Sequence, residues 1–155
     1  MLLKETAMVR LIGLRIPMLL FVGPTVRSLD DDGCAIEIPL GLRTRNHLGS
    51  MYFGALCAGA DLAAGLNAAK LVFGKHRGVK IVFADVNAAF HKRADGDVVF
   101  RTRQGREIRE AVERADATGE RVTVPVSVVA TVPKKYGDEP VATFTMGLSL
   151  KRKDA

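Results

Sequence analysis

Asp61 is the residue whose setting most needs a chemical explanation. It is the single charge in the run Gly49-Ser50-Met51-Tyr52-Phe53-Gly54-Ala55-Leu56-Cys57-Ala58-Gly59-Ala60-Asp61-Leu62-Ala63-Ala64-Gly65-Leu66. A carboxylate among apolar neighbours is costly unless it is paired, protonated or at work. At work, it would be a general base or a nucleophile. The run has the length and composition of a helix, read from about residue 49 to residue 72 and ending near Gly74. Its glycines weaken that helix by roughly 1 kcal/mol each relative to alanine if they lie in the interior. The sequence therefore predicts that a ligand or another backbone comes close. At the helix entry, the amides of Phe53, Gly54 and Ala55 would face outward at the positive end of the dipole, a place where an oxyanion can develop. Gly54 and Asp61 stand about 10.5 Å apart along the axis at ~1.5 Å per residue. That is too far for one reacting carbon, so the spacing predicts a site that joins the Gly54 end of one helix to Asp61 of a neighbouring subunit.

The bulk numbers narrow the setting. A chain of 155 residues makes a single domain, and 48% hydrophobic with 26% charged residues argues against wholesale disorder. The formal net charge of +6 favours anionic partners. Nucleic acid is not expected, because basic and aromatic residues are not interleaved and no binding motif is present. Cys34 and Cys57 lack metal-ligand spacing, so no metal is expected; they read as buried free thiols in a reducing compartment. Leu11–Val22 is too short to span a bilayer, and Glu5 and Pro17 spoil a signal-peptide pattern. The central run carries Asp61 and is rich in glycine and alanine, so no membrane span is expected and the protein reads as cytoplasmic.

The elements that must position Asp61 follow from periodicity. An N-terminal helix is expected within about residues 4–22, kinked or ended near Pro17, with the domain core over about 32–151. Asp30-Asp31-Asp32-Gly33 reads as a turn, and Cys34, Ile36, Ile38 and Leu40 form one face of a strand whose Pro39 marks an edge or an end. Val79–Lys92 is a long strand whose apolar parity changes between Phe83 and Val86, which predicts a bulge. Asp95-Gly96-Asp97 turns into Val98–Arg103, read as its hairpin partner. Ile108, Ala111, Val112 and Ala115 share one helical face. Val122–Ala130 and Ala142–Leu150 alternate as strands, Pro125 hinting at an edge or bulge, and Lys151-Arg152-Lys153 reads as a frayed tail. The economical arrangement is α+β: a curved antiparallel sheet wrapped around the one long apolar helix.

Arg45-Asn46-His47, Gly49, Phe53-Gly54-Ala55-Leu56 and Asp61, with this strand order, resemble the hotdog-fold thioesterase superfamily. More narrowly they resemble its group named domain of unknown function 4442. In phenylacetyl-CoA-type relatives a His-Gly-Gly run precedes a helix bearing a catalytic aspartate. Laid on that pattern, Tyr52 stands for the histidine and Phe53 for a glycine, while Gly54, Asp61 and, approximately, Asn46 match. The resemblance implies an acyl-CoA or other acyl thioester substrate, coenzyme A entering only as part of it, and a homodimer or tetramer with interfacial sites. It assigns catalytic positions to Asp61, Gly54, Asn46 and Tyr52, and substrate contacts to Phe53 and Ala55. Coenzyme A phosphates would call on Arg43, Arg45, Lys75, His76 and Arg77, with Lys134 and Lys135 as further candidates. The departures at Tyr52 and Phe53 keep a second reading open, a non-catalytic acyl- or CoA-binding hotdog protein with Asp61 structural.

Overall fold

The computed structural model describes residues 1–153. In chain order its elements are α1 (Leu3–Gly13), α2 (Pro17–Phe21), β1 (Thr25–Leu29), β2 (Cys34–Ile38), α3 (Phe53–Phe73), β3 (Val79–Phe90), β4 (Val98–Thr102), α4 (Gly105–Thr118), β5 (Val122–Thr131), α5 (Pro133–Tyr136) and β6 (Pro140–Arg152). The strands form one antiparallel six-stranded sheet in the order β1-β2-β4-β5-β6-β3, curved around α3 in the hotdog arrangement. One face of the sheet supplies the fully buried Ile36, Phe100, Val126, Leu148 and Leu150. α3 closes over that face and packs against β2, β3, β4, β5 and β6.

The contact is close because α3 is built from small residues. A Cβ at Gly59 would stand 2.3 Å from ring carbons of the buried Phe100, so only glycine lets that ring reach the helix backbone. The two open edges of the sheet are treated differently. On β1, the Val26 carbonyl accepts from Leu2 N–H at 2.8 Å, and Val26 N–H donates to Thr6 Oγ1 at 3.0 Å. The start of the chain therefore covers that edge. β3 forms the opposite edge, and from Ala84 to Phe90 every residue is exposed.

Several expectations meet the structure directly. The parity change in β3 is a register shift between Phe83 and Val86. The N-terminal segment breaks at Leu14–Ile16, and Pro17 opens α2. Pro125 lies in a stretch of β5 that pairs with β6 alone, β4 reaching only Val129–Thr131. Gln104 serves that locally free edge, donating to the Pro125 carbonyl and accepting from Ser127 N–H.

Others are corrected. α3 begins at Phe53 rather than 49, because Asn46 and Gly49 (φ +77°) fold the preceding residues into a loop. β1 was not anticipated; it is short, bulged and buries only Val26. β3 and β4 are not a hairpin: β3 pairs with β6, and β4 lies between β2 and β5. The residues between them are held instead by Asp95, bonded to Lys135 and Tyr136, and by Asp97, bonded to Lys134 and the Leu40 N–H. The tail is not frayed through Lys153, since β6 runs to Arg152 and Lys153 N–H donates to the Gly78 carbonyl at 2.9 Å.

Gly59→Ala is expected to lower unfolding stability by about 1–3 kcal/mol, the usual cost of overpacking, measured as the shift in urea midpoint.

Candidate functional site

Between Gly54 and Val72, apart from Lys70 and Leu71 near the end, the positions of α3 that escape full burial are Gly54, Cys57, Asp61, Gly65, Ala69 and Val72. Steps of three and four residues place them on one stripe of the helix. Their small side chains leave space above the helix. Over the Asp61-to-Val72 part that space is a groove of about 710 Å³. Ile12, Ile16 and Leu19 form one part of its wall, Ile81 and Phe83 of β3 another, and Leu62 and Leu66 its floor with the stripe. Its charged lining residues are Asp61, Arg77 and Lys80. Asp61 is set midway along α3, while Arg77 and Lys80 follow the helix's C-terminal end.

Asp61 enters no ion pair or side-chain hydrogen bond among the described residues. Burial alone raises its pKa above the ordinary aspartate value of 3.8. A carboxylate whose charge is poorly solvated holds a proton more tightly and is a stronger base once ionised. Cys57, one turn before it on the same stripe, is half-buried rather than buried as expected. Burial pushes its thiol pKa up as well, which disfavours the thiolate nucleophile. Cys34 is the buried thiol of the pair, raised to about 12.

Of the residues read from the sequence, the groove gathers Asp61 and Arg77. Tyr52, Phe53 and Gly54 lie at the other end of the helix, in an aromatic row running Tyr52–Phe53–Phe90–Phe144 with ring centroids 6.0, 5.9 and 6.0 Å apart. The Tyr52 ring stands directly over Gly54, where a Cβ would come within 2.4 Å of it. The approach to Gly54 is therefore filled by that ring. Ala55 is withdrawn from the expected set of open amides: its N–H donates to the Tyr52 carbonyl at 2.9 Å and its side chain is buried. At the helix entry, the Phe53 and Gly54 N–H groups donate to no backbone carbonyl among the described residues.

Asn46 shapes the loop before α3. Its Oδ1 accepts from Leu48 N–H at 2.9 Å, Ser50 N–H at 3.2 Å and the Ser50 hydroxyl at 3.3 Å. His76 is buried, with Nδ1 2.7 Å from Asp116 Oδ2 on α4. Lys75 and Arg45 are exposed, and the Arg43 guanidinium lies 5.7 Å over the Phe21 ring. Lys134 and Lys135 are paired with Asp97 and Asp95. Ile12, Ile16, Leu19, Lys80 and Phe83 were missed as site residues. The spacing 54-57-61-65 gives the helix stripe from sequence, but nothing local says which segments face it.

A family model, Domain of unknown function (DUF4442), matches residues 4–146. The chain belongs to this family. Among solved structures, the chain is similar to a Pseudomonas aeruginosa protein of unknown function described as a probable thioesterase. The two are 20% identical, over 99% of this chain and 97% of that one, with a TM-score of 0.75. A Chlorobaculum tepidum protein of unknown function gives 13% identity, 97% and 95% coverage and a TM-score of 0.81. A Haemophilus influenzae thioesterase gives 16%, 85% and 80%, and 0.60. These likenesses establish the hotdog fold. No curated protein matches the chain.

A raised folded-state pKa means that the native protein binds the Asp61 proton more tightly than the unfolded chain does. Stability from this group is therefore full below the unfolded pKa and falls as pH rises through the folded one. Asp61→Asn is expected to melt a few degrees above the wild type at neutral pH, with the difference vanishing below about pH 4. Thermal melts of both proteins across pH check this.

Proposed function

We propose that this protein hydrolyses an acyl thioester, acyl-CoA being the substrate class, with the acyl chain in the α3–β3 groove and Asp61 as general base. The carrying observation is a partly desolvated carboxylate, unpartnered among the described residues, on the floor of an apolar groove. Asp61 takes a proton from water as the oxygen attacks the thioester carbon. The carbonyl electrons move onto oxygen, and the helix-entry amide of Phe53, joined by that of Gly54 where the Tyr52 ring turns aside, holds that charge. The C–S bond then breaks and the proton passes to the leaving thiolate, giving a carboxylic acid and a free thiol. No cofactor enters beyond the coenzyme A of the substrate, and the expected setting is cytoplasmic.

Within one chain the Phe53 and Gly54 amides are eight and seven helix positions from Asp61, so this reading takes the amides from a second subunit. The exposed β3 edge supports such a homodimer. Its core-side Val86 and Phe90 are 57% and 49% exposed, and the Phe90 ring lies against Phe53 at the helix entry. Similarity of fold to a Haemophilus influenzae thioesterase supports the reaction class. One observation favours the second reading, an acyl- or CoA-binding protein without turnover: the Tyr52 ring occupies the approach to Gly54.

Thiol release from short, long and aromatic acyl-CoAs tests the proposal. Wild-type turnover with a loss of about 10²–10⁴-fold in kcat for Asp61→Asn is expected, the range for removing a general base. Equal rates in both proteins would remove Asp61 from the mechanism, and no turnover with co-purified ligand would favour the binding protein. Val86→Arg is expected to convert a dimer to a folded monomer in sedimentation velocity and to abolish turnover. A fully active wild-type monomer would defeat the two-subunit site.

A further inference from the structure

α1 and α2 are apolar on two sides. Inward, Val9, Gly13 and Leu19 are buried, and Ile12 and Ile16 line the groove. Outward, Leu3, Leu11, Leu14, Met18 and Phe21 are 70%, 67%, 67%, 62% and 50% exposed. Leu3, Ala7, Leu11 and Leu14 follow one another at helical spacing, so this is a continuous stripe rather than scattered residues. α4 shows how the same protein treats a solvated helix: its outward positions include Arg106, Glu107, Glu110, Glu113 and Arg114, with no large apolar residue. A second apolar stripe, on the side of the helix turned away from the core, implies a partner beyond the core.

The charges beside the stripe identify that partner. Lys4, Arg10, Arg15 and Arg43 are all exposed, and Arg43 lies against Phe21. Between Met1 and Leu29 the single acidic residue is Glu5, half-buried. A second copy docked symmetrically through this face would bring its cations against the same cations, since a two-fold contact is self-complementary. A bilayer with anionic headgroups offers the reverse: apolar depth for the leucines, Met18 and Phe21, and negative charge for the rim. We infer that the α1–α2 segment is a peripheral docking surface for an anionic phospholipid bilayer. The segment's inner face is a wall of the groove, so docking sets the groove beside the acyl region of the lipid. The inference does not depend on turnover by Asp61.

The test is co-sedimentation of the whole protein with phosphatidylcholine vesicles, with and without phosphatidylglycerol. It uses the wild type, Leu11→Ser/Met18→Ser and Arg10→Gln/Arg15→Gln, with circular dichroism for fold and sedimentation velocity for assembly. Expected is binding that needs phosphatidylglycerol and is lost at high salt. The arginine pair should cost about 30-fold in affinity, from roughly fivefold per basic residue near the surface. The Leu11/Met18 pair should weaken binding at least as much, with assembly unchanged. Absence of vesicle binding by the wild type, binding equal on both vesicle types, or loss of self-association in the Leu11/Met18 variant would each overturn the proposal. The last result would identify a second copy as the true cover.

Discussion

The approach of α3 to the sheet at Gly59 and Phe100 sets the terms for the rest of the molecule. To let an aromatic ring touch a helix backbone, the helix must be built of glycine and alanine. Such a helix has little stability of its own and is held by tertiary contact. It also has little bulk to offer on its far side. Where Gly65 and Ala69 face away from the sheet, there is no side-chain mass to close the space, and a groove remains. The packing that makes the core dense is thus the same feature that leaves the groove empty.

Asp61 is placed where that empty space and the helix meet. Its charge is dear to keep there, since nothing nearby neutralises it and burial withholds water. In a protein selected for stability alone, a leucine would serve the position better. The aromatic row at the helix entry adds a second tension. Tyr52 and Phe53 put two large exposed rings where the related thioesterase pattern has histidine and glycine. They give the entry a hydrophobic surface and at the same time crowd the amide at Gly54.

How far the sequence could be read depended on whether a signal was local. The β3 bulge was legible because one residue too many inverts the apolar parity, and the inversion is visible between Phe83 and Val86. The helix, its isolated charge and the sheet around it were legible for the same reason. Contacts across long separations were not. His76 looked like part of a basic cluster, and its partner Asp116 is forty positions away on another helix. Asn46 looked like a candidate for catalysis, whereas the turn it folds takes up its side-chain carbonyl. β1 gives almost no alternation because it is bulged and buries a single side chain. The β3–β4 connection has the residues of a hairpin turn, yet its aspartates are bound by Lys134 and Lys135 on the far side of β5.

The unequal treatment of the two sheet edges has a consequence for stoichiometry. A sheet with two bare edges can add copies without limit, each new strand presenting a fresh template for the next. Here the first turns of the chain fold back over β1 and take up the N–H and carbonyl of Val26. That leaves one bare edge per molecule. Pairing through β3 would consume both bare edges at the first encounter, and growth would stop there. In such a pairing the N-terminal residues that cover β1 would act as a chain terminator, keeping the fold from running on into a fibre.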